Sequence, residues 1–274
     1  MIASNKDRGV NKKIVNIFKE YLSNPSQEIY SDIKNGIDKL EESELVKLLV
    51  GIVSKDVVNL YSDKINKVGD SFFARYFSLT TVDLPNATTI GGNAFQNCTN
   101  LTTVDLPSVE SIGASTFYDC TNLTTVNLPS AESISGSTFH NCTNLTSIDL
   151  PNATSIAYNA FYGCKSLTSI DLPSAESIGD RAFRDCINLT TVDLPNVTTI
   201  GEYAFYGCKS LTSIILSNDN KVSLNNYVFD DTLIASGTGY IYVPDDLVDE
   251  YKVASNWSTY SNQIKPLSEL PTEE

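Results

Sequence analysis

Apolar and polar positions recur along this chain with a fixed period of 22 residues. The segment from Leu79 to Asn100 reads LTTVDLPNATTIGGNAFQNCTN. Similar segments start at Leu101, Leu123, Leu145, Leu167 and Leu189. A partial segment starts at Leu211, and a degenerate one precedes Leu79 from about Val57. Because such periods are typical of solenoids, in which each unit packs only on its neighbours, we predict a repeat solenoid.

Each segment contains one short alternation of apolar and polar side chains. In the first complete segment, Leu79 is followed by Val82 and Leu84, with the polar Asp83 between these two. The alternation predicts a strand with one buried face, which Pro85 ends because proline donates no ladder hydrogen bond. Later apolar positions are irregularly spaced, namely Ala87, Ile90, Phe95 and Cys98. We predict a parallel β-sheet on one face of the solenoid, with irregular, turn-like returns.

The sequences on either side of the repeats predict caps, which a solenoid needs because its core is open at both ends. Residues 11–53 contain three apolar stripes at helical spacing. Near the other end, Tyr240 to Val243 reads as a strand and Pro244 to about Ala254 as a short helix, with Trp257 packed on the last repeat. We predict a helical N-terminal cap or separate module over residues 1–56, the solenoid over 57–232 and a C-terminal capping segment over 233–274.

Charge and hydropathy narrow the class of partner. The chain has a net charge of −14 and so lacks the basic surface that a nucleic-acid binder needs. An anionic membrane surface would also repel it. The most apolar stretch, Leu48 to Val53, is too short to span a bilayer, and we expect no signal peptide or sorting signal in this chain. We therefore expect a protein partner with a neutral or cationic surface, no nucleic acid and no membrane insertion.

The repeats share the motif L-x-x-[VI]-x-L-P, then I-G, then A-F-x-x-C, as in Leu189 to Cys208. Over about Val57 to Thr232, the chain thus resembles the leucine-rich repeat superfamily, and more closely its bacterial BspA-like, or Treponema-type, branch. The resemblance implies a non-catalytic binding and adhesion module of a cell-surface or secreted bacterial protein, with a partner such as a host extracellular-matrix protein. The alternative is a structural or assembly scaffold in an intracellular or phage-like complex, because fold does not determine function.

Six cysteines stand at the same point of six consecutive repeats. They are Cys98, Cys120, Cys142, Cys164, Cys186 and Cys208. Zinc sites use pairs two to four residues apart, and this spacing contains none. Stacked equivalents would lie about 4.8 Å apart, so disulfides, which need Cβ atoms roughly 3.5–4.5 Å apart, would be strained. We predict a buried column of free thiols.

The residue that follows each repeat's phenylalanine varies, although its neighbours hardly change. It is in turn Gln96, Tyr118, His140, Tyr162, Arg184 and Tyr206. Variation inside a strict repeat marks positions that the core does not dictate, and exposed Tyr and Arg are favoured in protein interfaces. We predict that the last five form a partner-contact edge, which Tyr158 and Tyr203 extend. Ordinary drift among surface residues is the alternative.

The fifth residue of each repeat, between the two apolar residues of the predicted strand, is acidic in five repeats. These residues are Asp83, Asp105, Asp149, Asp171 and Asp193. We predict that they project outward as an acidic face, although acids about 5 Å apart repel by roughly 0.8 kcal/mol in water. The face is either a stripe that attracts cations or basic ligands, or a solvated surface that keeps the protein soluble. Calcium needs oxygens that converge on one point, which a straight ladder does not supply.

Catalytic motifs are missing from the sequence. It contains no phosphate-binding loop, dinucleotide fingerprint or nucleophile elbow. His140 is the only histidine, and Cys142, two residues away, belongs to the column that we expect to be buried. We therefore predict that the protein is not an enzyme and has no catalytic residues, cofactor or metal site.

Overall fold

The computed structural model describes residues 58–63 and 65–271. The chain winds as a solenoid of about nine turns, each with short strands that pair in parallel with those of neighbouring turns. This confirms the predicted fold class. The strands of the first face are β1 (Asn59–Tyr61), β3 (Thr81–Asp83), β5 (Thr103–Asp105), β7 (Thr125–Asn127), β11 (Thr191–Asp193), β13 (Ser213–Ile215), β15 (Tyr240–Val243) and β16 (Ile264–Pro266).

A second face carries a two-residue strand in each repeat, within the segment predicted as an irregular return. These strands are β2 (Lys67–Val68), β4 (Thr89–Ile90), β6 (Ser111–Ile112), β8 (Ser133–Ile134), β9 (Ser155–Ile156), β10 (Ser177–Ile178), β12 (Thr199–Ile200) and β14 (Ser223–Leu224). On both faces the register follows the repeat, so that Val82 pairs with Val104 and Ile178 with Ile200. The degenerate first segment joins this register, since Leu60 pairs with Val82.

The third side of each turn passes through the left-handed backbone region. In the turn that starts at Leu79, Asn93 and Asn97 have φ angles of 55° and 58°. Their backbone N–H groups donate to the backbone carbonyls of Ala114 and Tyr118 in the next turn, at 2.9 and 2.8 Å. Asn, Asp, Ser and Gly fill most of these positions, and Asn, Asp and Gly tolerate this backbone region best. The returns are therefore hydrogen-bonded from turn to turn.

The core consists of columns in which the same residue type recurs turn after turn. Leu101, Val104 and Leu106 of one strand segment are fully buried, as are Phe117 and Cys120 of its return. The phenylalanine rings of successive turns stack with centroids 5.2 to 5.9 Å apart. A lone turn would leave both faces of its ring in water, so the core exists only through stacking.

Both sheets are interrupted within the described chain. On the first face, the turns that start at Leu145 and Leu167 form no strand and are joined by a single bridge between Asp149 and Asp171. On the second face, the pairing stops between β6 and β8. The near-identical repeats are thus not identical in structure.

The C-terminal cap contains the predicted strand β15 and the predicted helix. A 3-10 turn, Asp245–Leu247, leads into helix α1 (Val248–Val253). Trp257 is buried on the last turn, and its indole N–H donates to the carbonyl of Val222 at 2.8 Å. Strand β16 adds a further pairing, and 3-10 helices at Ser258–Tyr260 and Leu267–Glu269 complete the segment. The helical cap or module predicted for residues 1–56 lies outside the described residues.

Candidate functional site

The five residues of the predicted contact edge form one continuous column, which we call the aromatic edge (Tyr118, His140, Tyr162, Arg184 and Tyr206). The imidazole of His140 stacks between Tyr118 and Tyr162, with ring centroids 4.4 and 4.7 Å away. The guanidinium carbon of Arg184 lies 5.8 Å from the ring centroid of Tyr162 and 4.7 Å from that of Tyr206. All five residues are half-buried. Their role in binding stays a prediction.

A second column runs beside the aromatic edge, and we call it the flanking column (Tyr158, Arg181, Tyr203 and Tyr227). The guanidinium carbon of Arg181 lies 5.6 Å from the ring centroid of Tyr158 and 5.4 Å from that of Tyr203. Tyr203 also stacks on Tyr227 at 5.1 Å. The two columns meet where Tyr203 contacts the edge residue Tyr206 at 5.7 Å in a T-shaped arrangement. Together they make a broad surface of rings and cations.

Sequence reasoning reached Tyr158 and Tyr203 but missed Arg181 and Tyr227. Arg181, Tyr203 and Tyr227 occupy the left-handed return position, with φ angles of 56° to 58°, which other repeats fill with Ser or Asn. A side chain with a Cβ costs about 1–2 kcal/mol in that conformation, so bulky residues there need compensating contacts. The departure from Ser or Asn at this repeat position is the sequence signal that would have found them.

Burial and nearby carboxylates determine the electrostatics of the aromatic edge. Burial lowers the pKa of His140, and Asp119 opposes this with a smaller effect. The Nδ1 atom of His140 is buried without a hydrogen-bond partner. The pKa of the Tyr162 phenol is raised by burial first and by Asp185 second. Both shifts favour the uncharged forms of His140 and Tyr162 at neutral pH.

The acidic face lies along the first face of the solenoid, where each predicted Asp follows a buried Val or Ile. Asp83, Asp105 and Asp193 end strands, whereas Asp149 and Asp171 are joined by the single bridge. Asn127 divides it and donates from its side-chain amide to the carboxylate of Asp105 at 2.7 Å. Burial and the neighbouring Asp171 raise the pKa of Asp193. Among residues 58–63 and 65–271, no three His, Cys, Asp or Glu side chains are grouped to hold a metal ion. Binding by this face stays a prediction.

The cysteine column is buried and reduced, as predicted, which removes it from the candidate chemistry. All six cysteines are free and fully buried. Each thiol donates to the carbonyl of the phenylalanine in the preceding turn, as Cys142 does to Phe117 at 3.2 Å. Burial raises their pKa values, that of Cys98 to about 12. Because a nucleophile must be an accessible thiolate, Cys142 and His140 do not form a catalytic pair.

The repeats match a known protein family. The family described as "BspA type Leucine rich repeat region" matches in six copies, over residues 66–175 and 154–238. The chain belongs to this family. Its members' repeats are generally non-catalytic, and leucine-rich repeat domains generally mediate contacts between proteins.

Two crystal structures of bacterial leucine-rich repeat proteins resemble the chain. A leucine-rich cell surface protein from Faecalibacterium prausnitzii is 36% identical over 59% of this chain, with a TM-score of 0.54. The match covers 45% of that protein, so the chain spans less than half of its length. The leucine-rich repeat protein of T. pallidum is 29% identical over 63% of this chain and 84% of its own, with a TM-score of 0.54. No curated protein matches the sequence.

In the described part of the chain, no helix has the length and apolar character needed to cross a bilayer.

Proposed function

We propose that this chain is a non-catalytic adhesion module that binds a protein partner through the aromatic edge. The observation that carries the proposal is the continuous stack from Tyr118 through His140 and Tyr162 to Arg184 and Tyr206. The family supports it because leucine-rich repeat domains generally mediate contacts between proteins, and the similar protein from F. prausnitzii is a cell surface protein. A host extracellular-matrix protein is the partner that we propose.

The stack suits binding because its side chains are already ordered. An interface side chain normally loses about 0.5–1.5 kcal/mol of rotamer freedom when a partner immobilises it. Rings held between the rings of neighbouring turns have lost that freedom on folding. Tyrosine and arginine also combine apolar area with hydrogen-bonding tips, which is why they dominate binding hot spots. The aromatic edge therefore offers a favourable, pre-ordered contact surface.

Direct binding tests the site. Purified wild-type protein should be captured by one or more of a panel of immobilised extracellular-matrix proteins. Replacement of Tyr118, Tyr162 and Tyr206 together by Ser should weaken capture at least about tenfold, the loss of one hot spot, while circular dichroism stays unchanged. The matched control replaces the exposed Tyr61 and Tyr240, which lie outside the edge, and should bind like the wild type. Equal capture by all three proteins would rule out the edge.

Localisation tests the adhesion role separately. Antibody labelling of intact cells that express the native protein should detect it at the surface or in the culture fluid. Its absence from both would contradict adhesion and favour the assembly scaffold.

A further inference from the structure

Arg181 is a cation without a counter-ion in the described part of the chain. Its guanidinium forms no hydrogen bond or ion pair with residues 58–63 or 65–271. The four ion pairs found there use Arg184, Lys209, Lys221 and Lys265. Arg181 instead contacts the rings of Tyr158 and Tyr203, which belong to the turns before and after its own. The two rings therefore flank the guanidinium along the solenoid axis.

This placement prepares Arg181 for one kind of ligand. Cation–π contacts on two sides hold the guanidinium, so that little further freedom is lost when a partner binds. Arg181 is only half-buried, and its N–H donors form no hydrogen bond with the described residues. A planar guanidinium presents those donors as a fork that matches the two oxygens of a carboxylate. We propose that Arg181, flanked by Tyr158 and Tyr203, is the receptor for a carboxylate of the protein partner, supplied by an Asp or Glu side chain.

The neighbouring charges leave Arg181 as the main receptor. Arg184 packs on the same ring, with its guanidinium carbon 5.7 Å from the centroid of Tyr203. Its Nε lies 3.6 Å from the carboxylate of Asp185, an ion pair that partly neutralises it. Asp180, next to Arg181 in sequence, accepts the backbone N–H of Glu202 at 2.8 Å and forms no ion pair with Arg181. The uncompensated positive charge of this surface is therefore at Arg181.

Overall charge favours a protein carboxylate over an anionic polysaccharide. The chain carries a net charge of −14, so a long polyanion would be repelled along most of its length. A single carboxylate in contact with Arg181 is screened from charges more than about 8–10 Å away at physiological salt. The surface thus suits an isolated acidic residue within a neutral or basic partner. This inference rests on the proposed function, because it assigns the partner chemistry of the surface formed by the aromatic edge and the flanking column.

Side-chain NMR of the full chain tests the receptor. The probe is the capped peptide Ac-Gly-Glu-Gly-Glu-Gly-NH2, titrated at pH 7 into protein labelled with 15N at arginine. We expect saturable shifts of the Arg181 Nε–Hε resonance, whereas the matching peptide with Gln in place of Glu should cause none. Arg181→Gln should weaken binding of the Glu peptide about tenfold, because a charge-assisted pair is lost. Binding to this variant is followed by proton NMR of the Tyr203 ring. Arg75 is the internal control, since it is exposed and has no ring contact among the described residues.

Three results would contradict the proposal that Arg181 binds a carboxylate of the partner. They are equal shifts at Arg75 and Arg181, equal responses to the Glu and Gln peptides, and binding of a sulfated heparin hexasaccharide without binding of the peptide. The last result would assign the surface to an anionic glycan.

A second assay separates this inference from the proposed function. Capture of matrix proteins should fall when Arg181 is replaced by Lys, which keeps the charge but loses the fork. If capture depends on the aromatic edge and is unchanged in Arg181→Lys, the proposed function stands and the carboxylate receptor is wrong. If the peptide binds at Arg181 and no matrix protein is captured, the receptor stands and the proposed partner is wrong.

Discussion

At the scale of single residues, His140 shows how stacking changes the chemistry of a side chain. Two opposing effects act on its imidazole. Burial between Tyr118 and Tyr162 disfavours the charged form, and Nδ1 has no hydrogen-bond partner. The nearby Asp119 and the electron-rich faces of the two rings favour the charged form. The structure indicates that burial has the larger effect.

We predict that His140 titrates below its ordinary pKa of 6.5 in the folded protein. Asp119→Asn should lower the pKa further, because it removes the charge that supports the imidazolium. The unfolded chain then binds more protons than the folded one below pH 6.5, so stability should fall as pH falls through this range. One-dimensional NMR of the single imidazole measures the pKa directly. A value above 6.5 would show that the rings and Asp119 outweigh burial.

At the scale of the element, the second sheet depends on how closely neighbouring turns approach. Gly91 begins the return after β4, and a Cβ built on it would lie 2.6 Å from the amide nitrogen of Asp70 and 2.7 Å from the carbonyl carbon of Gly69. The adjacent Gly92 has more room, with its nearest contact at 3.4 Å from the carbonyl oxygen of Ala114. In this turn, glycine is therefore needed sterically at Gly91 but not at Gly92.

The two glycines provide a matched pair of variants. Gly91→Ala should lower the free energy of unfolding by about 1–3 kcal/mol, because the backbone of the preceding turn must move. Gly92→Ala should change it by no more than about 0.5 kcal/mol. Urea denaturation followed by circular dichroism measures both. Equal effects of the two substitutions would contradict the steric argument.

The break in the second sheet has a local cause at Ser135. Its hydroxyl donates to the carbonyl of Ile112 at 2.6 Å, in place of the backbone amide. Ala157, at the same position of the next turn, has no hydroxyl, and its amide donates to Ile134 at 2.9 Å. A serine side chain that competes for a backbone acceptor interrupts the ladder. The sequence shows the serine, but the competition appears only when two turns stack.

Trp257 is one of the side chains that join the C-terminal cap to the last turn, and we predict its energetic weight. Trp257 covers Phe229, and its indole N–H donates a hydrogen bond to the carbonyl of Val222. The backbone N–H of Val222 donates to the hydroxyl of Tyr251 at 2.8 Å. Trp257→Ala should lower the free energy of unfolding by about 3–5 kcal/mol and expose the Val222 amide to exchange. Trp257→Phe keeps the apolar contact and should cost about 1–3 kcal/mol, because it leaves the Val222 carbonyl unpaired. Hydrogen exchange and urea denaturation measure the two effects. Unchanged exchange at Val222 in Trp257→Ala would show that Trp257 does not close the core.

At the scale of the whole molecule, the cysteine column couples stability to alkaline pH. The unfolded thiols ionise near the ordinary pKa of 9.0, whereas burial raises the pKa of all six folded thiols, that of Cys98 to about 12. Between these values the folded state binds more protons than the unfolded state, so stability falls as pH rises. Above pH 9, each thiol lowers the stability by up to about 1.4 kcal/mol per pH unit, so six thiols together lower it by up to about 8 kcal/mol per pH unit.

We therefore predict steep alkaline unfolding that begins near pH 9. Urea midpoints at pH 8, 9 and 10, measured with a phosphine reductant present, give the slope. The double variant Cys142→Ala, Cys164→Ala should reduce the slope by about a third, because two of six thiols are removed. A flat profile between pH 9 and 10, or an unchanged slope in the double variant, would contradict the prediction.

The surface residues show the limit of sequence reasoning at this scale. Tyr118, Tyr162 and Tyr206 could be selected because they vary at one fixed repeat position. Arg181 and Tyr227 carry a weaker signal, a departure from the Ser or Asn of other repeats, and its meaning is clear only once the left-handed backbone of that position is known. Their contacts also join residues about 22 positions apart, which only the stacking of turns brings together.

What the sequence determined by itself is the architecture. The 22-residue period, the buried columns, the parallel register and the cap strand and helix all follow from side-chain spacing that the repeats restate many times. Only the tertiary structure decided where both sheets break, where β16 pairs, and that rings and cations of separate turns form two adjoining columns. The physical reason is that burial patterns are periodic and locally encoded, whereas these features depend on single side chains that meet their neighbours one full turn away.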